Sequence, residues 1–244
     1  MCNSFSVATS RTRGLCMKMS TFFVCSRRTL VVCIATILLA HVVSVRGVEI
    51  GTAVKVGTTG FGADVTFGLA ETMNLRAGLS MLSLSFDFED DDDDDELTLN
   101  IDLQTIPLLL DWHPWRNNFR FSGGIMLNNN ELSIEADAGE EVTLNDVEYR
   151  VDSLSMDVAF DTVSPYLGIG YGNAVRAGGR WRFAFDFGVM FHGTPKVTGR
   201  AEASNPALQE RLNRDFDEEL EELRDDLSGF TMYPVLTLGL SYRF

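Results

Sequence analysis

His192 and His113 are the side chains of this sequence best suited to acid–base chemistry. His192 begins the run His-Gly-Thr, in which a hydroxyl lies two residues beyond an imidazole, and His113 lies within Asp-Trp-His-Pro-Trp at 111–115. General acid–base catalysis needs a partner that positions the imidazole. The first run contains no serine, and spacing assigns no carboxylate to either histidine. We therefore predict no catalytic residues, no bound cofactor and no enzymatic activity.

A run of acidic residues from Glu89 to Glu96, with six consecutive aspartates between them, is the other group that could bind a ligand. Carboxylate oxygens suit Ca²⁺ and Mg²⁺. The run lacks the interleaved glycines and turn residues that fold a loop around an ion, and its like charges repel one another. We interpret residues 89–96 as a solvated loop and predict no metal ligands there.

The first 47 residues differ in composition from the rest of the chain. They contain six basic and no acidic residues, and an apolar run from Leu30 to Ala40 closely follows Arg27-Arg28. The run is shorter than the about 20 residues that a membrane-spanning helix needs, whereas a basic flank before a short apolar core is typical of a secretory signal peptide. We predict that residues 1–47 are a signal peptide cleaved after Gly47, with Ala40 as the second choice.

Removal of this leader would change both the cysteine content and the charge of the protein. All four cysteines fall inside residues 1–47, so the remaining 197 residues can form no disulfide. They keep 14 basic against 35 acidic residues, a net charge of −21. Nucleic-acid binding depends on Lys and Arg side chains that neutralise phosphates, so we predict no nucleic-acid partner. Residues 48–244 suit a single domain.

Alternation of apolar and polar residues is the main structural signal of residues 48–244. In 180–192, Phe183, Phe185 and Phe187 share one face with other large apolar residues, and Asp186 and His192 share the opposite face. A face so rich in aromatic residues favours contact with lipid over a soluble core. After Gly47 no apolar run could span a membrane as a helix, so insertion would require a closed barrel. The alternation predicts eight strands, at 48–56, 61–70, 74–88, 97–113, 119–137, about 156–173, 180–192 and 230–244.

The connections between these strands alternate in length. Those near 71–73, 114–118 and 174–179 are short, and those at 89–96, 138–155 and 201–229 are long. Short periplasmic turns and longer extracellular loops are typical of outer-membrane barrels. Both chain ends should then be periplasmic, which requires the strand at 48–56 and a tight turn at 57–60. A single bent strand over 49–70 is the alternative.

Two places break the alternation inside long strands, at Met81-Leu82 and at Gln104-Thr105. We interpret each either as a β-bulge or as the point where a strand leaves the bilayer and continues as an extracellular extension. The pattern of 142–151 predicts a small hairpin that turns at Asn145-Asp146, and such a protrusion need not follow the lipid-facing rule.

Residues 206–228 have the period of an amphipathic helix. Asn205 can cap the helix, Pro206 fits its first turn, and Gly229 follows its end. The stripe either docks a partner outside the cell or, as we favour, packs on the barrel rim or on the 142–151 hairpin. Its apolar residues are Leu208, Leu212, Phe216, Leu220, Leu223 and Leu227.

Seven charged residues fall on the inward phase of the predicted strands. An eight-stranded barrel has an interior that side chains just fill, and unpaired charges are costly there. We therefore predict a network of ion pairs that plugs the barrel, with Arg182 and Asp186 among the pairs. The inward charged residues are Asp64, Arg76, Asp111, Arg120, Arg182, Asp186 and Arg243.

Several stretches of this sequence resemble a known family. They are GTTGFGADVTFGLAETMNLRAGLS, LLLDWHPW, SPYLGIGYGNAV with the following RWRFAFDFGV, and TMYPVLTLGLSYRF. Together they resemble small, largely uncharacterised outer-membrane β-barrel proteins of Gram-negative bacteria, related in architecture to OmpA-like and OmpW-like barrels. The resemblance implies an all-β fold, an eight-stranded antiparallel transmembrane β-barrel with one extracellular amphipathic helix before the last strand. It carries over no catalytic residues.

The expected role is that of a structural or surface-interacting protein of the cell outer membrane, in contact with its lipid and lipopolysaccharide. The aromatic end with Tyr242 and Phe244 resembles the signal that the outer-membrane insertion machinery reads. Two alternatives stay open: a barrel enzyme of the lipid A hydrolase type, for which His192 would be the candidate, and a narrow pore for small solutes. We expect a monomer, although the sequence leaves the oligomeric state open.

Overall fold

A computed structural model describes residues 16–20, 49–90, 93–136, 138–145 and 147–244. A 3₁₀ turn (Pro206–Leu208) and one helix, α1 (Gln209–Leu227), lie between the last two strands. The strands are β1 (Cys16–Ser20), β2 (Ile50–Gly57), β3 (Gly60–Ala70), β4 (Met73–Asp90), β5 (Asp93–Trp112), β6 (Phe119–Asn128), β7 (Glu131–Ala136), β8 (Glu141–Leu144), β9 (Val147–Ala159), β10 (Val163–Tyr171), β11 (Trp181–Phe191), β12 (Lys196–Ala203) and β13 (Met232–Arg243).

Eight of these strands form a closed antiparallel barrel, in the order β2, β3, β4, β5, β6, β10, β11 and β13. The barrel closes between β13 and β2, where Thr237 pairs with Gly57 and Arg243 pairs with Gly51. The predicted fold class is confirmed. The first hairpin is also confirmed, because β2 and β3 are joined by the two-residue turn Thr58-Thr59, and the single bent strand is wrong.

The outer wall of the barrel is apolar, as a lipid-facing wall must be. On β11, Phe183 is 55% and Phe187 49% exposed, whereas Asp186 between them is 6% exposed and points inward. Large aromatic side chains cluster at the end with the short turns, which we call the short-turn end. They are the exposed Trp112, Trp115, Tyr171, Trp181 and Phe244, an arrangement typical of the aromatic girdle at a membrane interface.

Part of the barrel wall continues beyond the opposite, long-loop end as a half-barrel of five strands. This extension consists of residues 82–90 of β4, residues 93–103 of β5, and β7, β9 and β12, in that order. Its inner face is apolar and its outer face is polar, the reverse of the wall below. The inversion follows from the surroundings, because the outer face of the extension no longer meets lipid.

The two breaks in alternation mark the base of this extension. The register between β4 and β5 is the same on both sides of the breaks, with Ala77 paired to Leu108 and Ser80 paired to Thr105. The alternative of a bulge is therefore wrong at both places. What changes is the other neighbour of β5. Residues 97–102 of β5 pair with β7, and residues 105–112 pair with β6.

Three sequence-based strand boundaries need correction. The predicted strand 119–137 is two strands, because Asn130 leaves the ladder and accepts a hydrogen bond from Gln104 N through its side chain (2.9 Å). The predicted strand 156–173 is also interrupted, since β9 ends at Ala159 and β10 begins at Val163. β12 was not predicted, although Val197, Ala201 and Ala203 alternate with polar residues.

The acidic run forms the tip of a hairpin rather than an open loop. β4 continues to Asp90 and β5 begins at Asp93, with Glu89 paired to Glu96. Asp91, Asp92 and the side chains of residues 87–97 lie outside what the structure describes. The interpretation of the run as a solvated segment without bound metal therefore stays a prediction.

The amphipathic helix packs on the extension. Leu212, Phe216 and Leu220 are buried in a core formed with β7, β8, β9 and β12. The hairpin predicted at 142–151 is present, as β8 and the start of β9, and Tyr149 donates a hydrogen bond to Asp215 on the helix. Burial, and then this carboxylate, raise the pKa of Tyr149, which keeps its hydroxyl a donor. The packing alternative is thus confirmed over a free docking stripe.

The short strand β1 lies within the predicted leader. It pairs antiparallel with the outer part of β4, from Cys16 opposite Glu89 to Ser20 opposite Ser85. Residues 1–15 and 21–48 lie outside the described part of the chain. Both the signal peptide at 1–47 and the domain at 48–244 stay predictions.

The apolar outer wall predicts that a charge placed on it should lower the free energy of unfolding more near the middle of the bilayer than near its surface. Phe187→Arg, near the middle of β11, should lower the free energy of unfolding by about 2–4 kcal/mol, because a cation at the bilayer midplane is poorly solvated. The matched change Phe191→Arg, at the end of the same strand, should cost about 0–1 kcal/mol. Urea unfolding in lipid vesicles, followed by heat-modifiable gel migration, measures both. Equal costs would contradict a membrane position for this wall.

Candidate functional site

Six charged side chains meet inside the barrel and are the strongest concentration of chemistry in the described part of the chain. Each comes from a different strand, so the group forms only when the barrel is closed. Three cations balance three anions. We call this group the lumen cluster; it consists of Lys55 (β2), Asp64 (β3), Arg76 (β4), Asp111 (β5), Arg120 (β6) and Asp186 (β11).

Arg76 is the centre of the lumen cluster. Its Nε lies 3.0 Å from Asp111 Oδ2, and its Nη1 lies 2.9 Å from Asp186 Oδ2 and 3.5 Å from Asp64 Oδ2. A planar guanidinium can address several carboxylates at once, which a lysine ammonium does less well. Arg76 therefore holds together strands that are far apart in sequence.

The two other cations complete the pairing. Arg120 Nη2 lies 2.7 Å from Asp186 Oδ1, and Lys55 Nζ lies 2.8 Å from Asp64 Oδ1. Three polar atoms of the cluster form no hydrogen bond within the described residues: Nε of Arg76, Nε of Arg120 and Oδ1 of Asp64. The ion pairs made by these three atoms are therefore purely Coulombic. Every charge of the cluster has an opposite charge within 4 Å, as burial requires.

Neutral groups support the carboxylates and make room for them. Ser122 Oγ donates to Asp111 Oδ1 (2.6 Å), and Thr237 Oγ1 donates to Asp186 Oδ2 (3.4 Å). A Cβ added at Gly78 would overlap the Asp64 carboxylate. The small residue on the neighbouring strand is thus what lets Asp64 point into the lumen.

An apolar layer closes the lumen on the long-loop side of the cluster. The ring of Tyr166 lies over Gly168 and Gly188, where any Cβ would collide with it. Two small cavities remain, about 20 Å³ beside the lumen cluster and about 10 Å³ between the cluster and the layer. Such volumes admit about one water molecule each. The layer consists of Leu109, Met126, Tyr166, Met190 and Val235, with Tyr233 against it.

Five of the seven predicted inward charges meet as expected, and two do not. Arg182 donates to the Ala177 carbonyl (2.9 Å) and forms no ion pair within the described residues, so the predicted pair with Asp186 is wrong. Arg243 lies 3.6 Å from Glu49 and is also outside the cluster. The alternation along a strand predicts whether a residue points inward or outward, but not its position along the barrel axis. Both arginines lie near the short-turn end, away from the cluster.

Lys55 is the member that sequence reasoning missed. Its neighbours on β2, Val54 and Val56, are apolar and point outward. The inward phase of residue 55 followed directly from theirs, so the signal was present in the sequence.

Among the described residues, neither candidate histidine forms a hydrogen bond with a carboxylate. His192 is buried against Phe160 (ring centroids 4.6 Å apart), and its ring nitrogens have no hydrogen-bond partner among the described residues. His113 is buried near the short-turn end, 3.1 Å from Asn74 Nδ2 and 3.0 Å from the Phe119 carbonyl. In the part of the chain that the structure describes, no group of three or more His, Cys, Asp or Glu residues is arranged to hold a metal ion.

Comparisons with known proteins agree with this fold. CarO2 of Acinetobacter baumannii is similar over 80% of this chain and 98% of its own, at 18% identity and a TM-score of 0.53. CarO of the same organism covers the same shares at 19% identity and a TM-score of 0.49. No protein-family model matches the sequence, and no curated protein is similar to it. At this identity the likeness shows the fold alone, and the relation to OmpA-like or OmpW-like barrels stays a prediction.

The lumen cluster predicts that a single substitution that removes one charge should greatly lower the free energy of unfolding. Asp186→Asn keeps the shape of the side chain but leaves Arg76 and Arg120 without their shared carboxylate. We expect a loss of about 3–5 kcal/mol in unfolding free energy, as for other buried pairs that lose one partner. Urea unfolding in detergent micelles measures it.

Arg182→Gln is the matched control for this prediction. It removes an inward-phase arginine of the same strand that contacts a backbone carbonyl rather than a carboxylate. Its cost should stay near 1 kcal/mol, the value of an ordinary hydrogen bond. If Arg182→Gln were as costly as Asp186→Asn, the assignment of the cluster would be wrong.

Proposed function

We propose that this protein is an integral outer-membrane barrel with a closed lumen, and that its role is structural or surface-interacting rather than transport or catalysis. The observation that carries the proposal is the filled lumen. The lumen cluster and the apolar layer above it line two cavities, of about 20 and 10 Å³.

An outer-membrane location is supported by three features together. The closed barrel has an apolar outer wall, its short-turn end carries a ring of exposed aromatic residues, and its fold is similar to that of CarO2. Such a wall would contact lipid and, in the outer leaflet, lipopolysaccharide. The predicted leader at 1–47 would direct export.

The extension is the part of the protein available for surface interactions. Helix α1 presents nine acidic residues against three arginines, and the hairpin of β4 and β5 ends in the acidic run. Burial, and then the neighbouring Glu222, raise the pKa of Glu219. A surface of this charge favours cationic partners over anionic ones such as nucleic acid or free phosphate groups.

Electrical recording tests the closed lumen. The purified protein in planar lipid bilayers should show no steady conductance, because ions would have to displace paired charges and an apolar layer. An eight-stranded barrel of known pore activity serves as the positive control for insertion. Stable, ion-selective channels from the unmodified protein would replace this proposal with that of a narrow pore.

The carboxy-terminal strand provides a second test, of assembly by the outer-membrane insertion machinery. Tyr242 and Phe244 pack edge to face, with ring centroids 5.3 Å apart, at the short-turn end. Deletion of Phe244 should leave export intact, but the chain should remain in the periplasm without inserting into the membrane. Membrane fractionation with heat-modifiable migration measures it, and Phe230→Ala, an aromatic truncation outside this strand, is the control. Normal amounts of folded barrel after the deletion would show that the terminus is not read.

A further inference from the structure

The extension is an open sheet, and its two lateral edges differ. At the β12 edge, side chains of α1 occupy the backbone groups that a neighbouring strand would use. Gln209 donates to the Ala201 carbonyl (2.9 Å) and accepts from Ala203 N (2.8 Å), as a paired strand would. Arg224 donates to the Val197 carbonyl (3.1 and 2.9 Å). This edge is blocked in the way that proteins protect exposed strands.

The opposite edge is the outer part of β4. β3 pairs with β4 only as far as Met81, so that no strand of the barrel covers this side of residues 82–90. Within described residues 49–244 no strand pairs with this side. Nine consecutive residues of edge are long enough to hold a further strand.

In the structure, β1 takes this position. Its five residues pair in regular antiparallel register, with Met19 opposite Phe86, Lys18 opposite Asp87 and Met17 opposite Phe88. The seated segment therefore places one basic residue, Lys18, between two methionines, and the edge opposite places Asp87 between two phenylalanines. Because β1 lies in the predicted leader, export would remove it and open the edge.

We propose that the β4 edge of the exported protein is a strand-addition site for an extended segment of another protein, in which a basic residue lies between apolar ones. The inference rests on the proposed surface-interacting function and gives it a partner chemistry. Backbone hydrogen bonds supply affinity in this mode, and side chains at alternate positions supply specificity. The edge is acidic and the exported chain carries a net charge of −21, so a basic segment is favoured over the same edge of a second copy.

A peptide with the sequence of residues 14–22, with serine in place of Cys16, is the probe. Mass spectrometry first establishes where the protein purified from outer membranes begins. Fluorescence anisotropy should then show saturable binding that weakens several-fold when the peptide carries Lys18→Glu and when the salt concentration rises. Absence of binding, or a purified chain that still contains residues 16–20, would overturn the proposal.

Disulfide trapping tests the register. Residues 48–244 contain no cysteine, so Ser85→Cys introduces a single thiol opposite residue 20 of the seated strand. A peptide carrying Ser20→Cys should cross-link to it. Ser133→Cys is the matched control, because Ser133 lies on the same face of the extension but on β7, which has strands on both sides. Equal cross-linking at both positions, or Ser85→Cys dimers in place of the peptide adduct, would contradict the proposal.

The test of the strand-addition site can fail or succeed independently of the test of the closed lumen. Bilayer recordings on the same preparation report on the lumen alone. A closed barrel that binds no peptide overturns only the strand-addition site, whereas a conducting barrel that binds the peptide overturns only the closed lumen.

Discussion

The pairing of buried charge around Arg76 is the constraint on which the rest of this barrel depends. Three acidic residues from three strands converge on one guanidinium, and two further cations balance them. Removing either the cationic or the anionic side chains would leave unpaired charges in an interior that solvates them poorly. The small residues of the inner wall follow from this requirement, since Gly78 and Gly170 lie where a side chain would displace Asp64 or Asp186.

The proposed closure of the lumen assigns the function of this protein to the extension above the barrel. The extension inverts the polarity of the wall, and the inversion gives α1 an apolar surface on which to pack. That packing also brings Gln209 and Arg224 to the β12 edge. The helix therefore both covers the apolar side of β7, β9 and β12 and blocks one edge of the extension, and the asymmetry between the two edges follows from it.

The sequence predicted the barrel well because membrane strands alternate strictly, and a one-residue slip would turn aromatic residues such as Phe183 into the lumen. It predicted the face of each charge for the same reason. It failed for Arg182 and Arg243 because the height of a residue along the barrel depends on the stagger between strands, which no single strand encodes. It also missed β12, whose short alternation of Val197, Ala201 and Ala203 is weak next to the helix pattern that follows.

The length of β4 and β5 fixes how far the acidic tip stands from the bilayer. Strands of 18 and 20 residues are roughly 60 Å long at the usual rise per residue, and a tilt of about 40° leaves roughly 45 Å along the barrel axis. The apolar band of such barrels is only about 25 Å tall. The hairpin thus extends roughly 20 Å beyond the apolar band, a distance close to the height of that band itself.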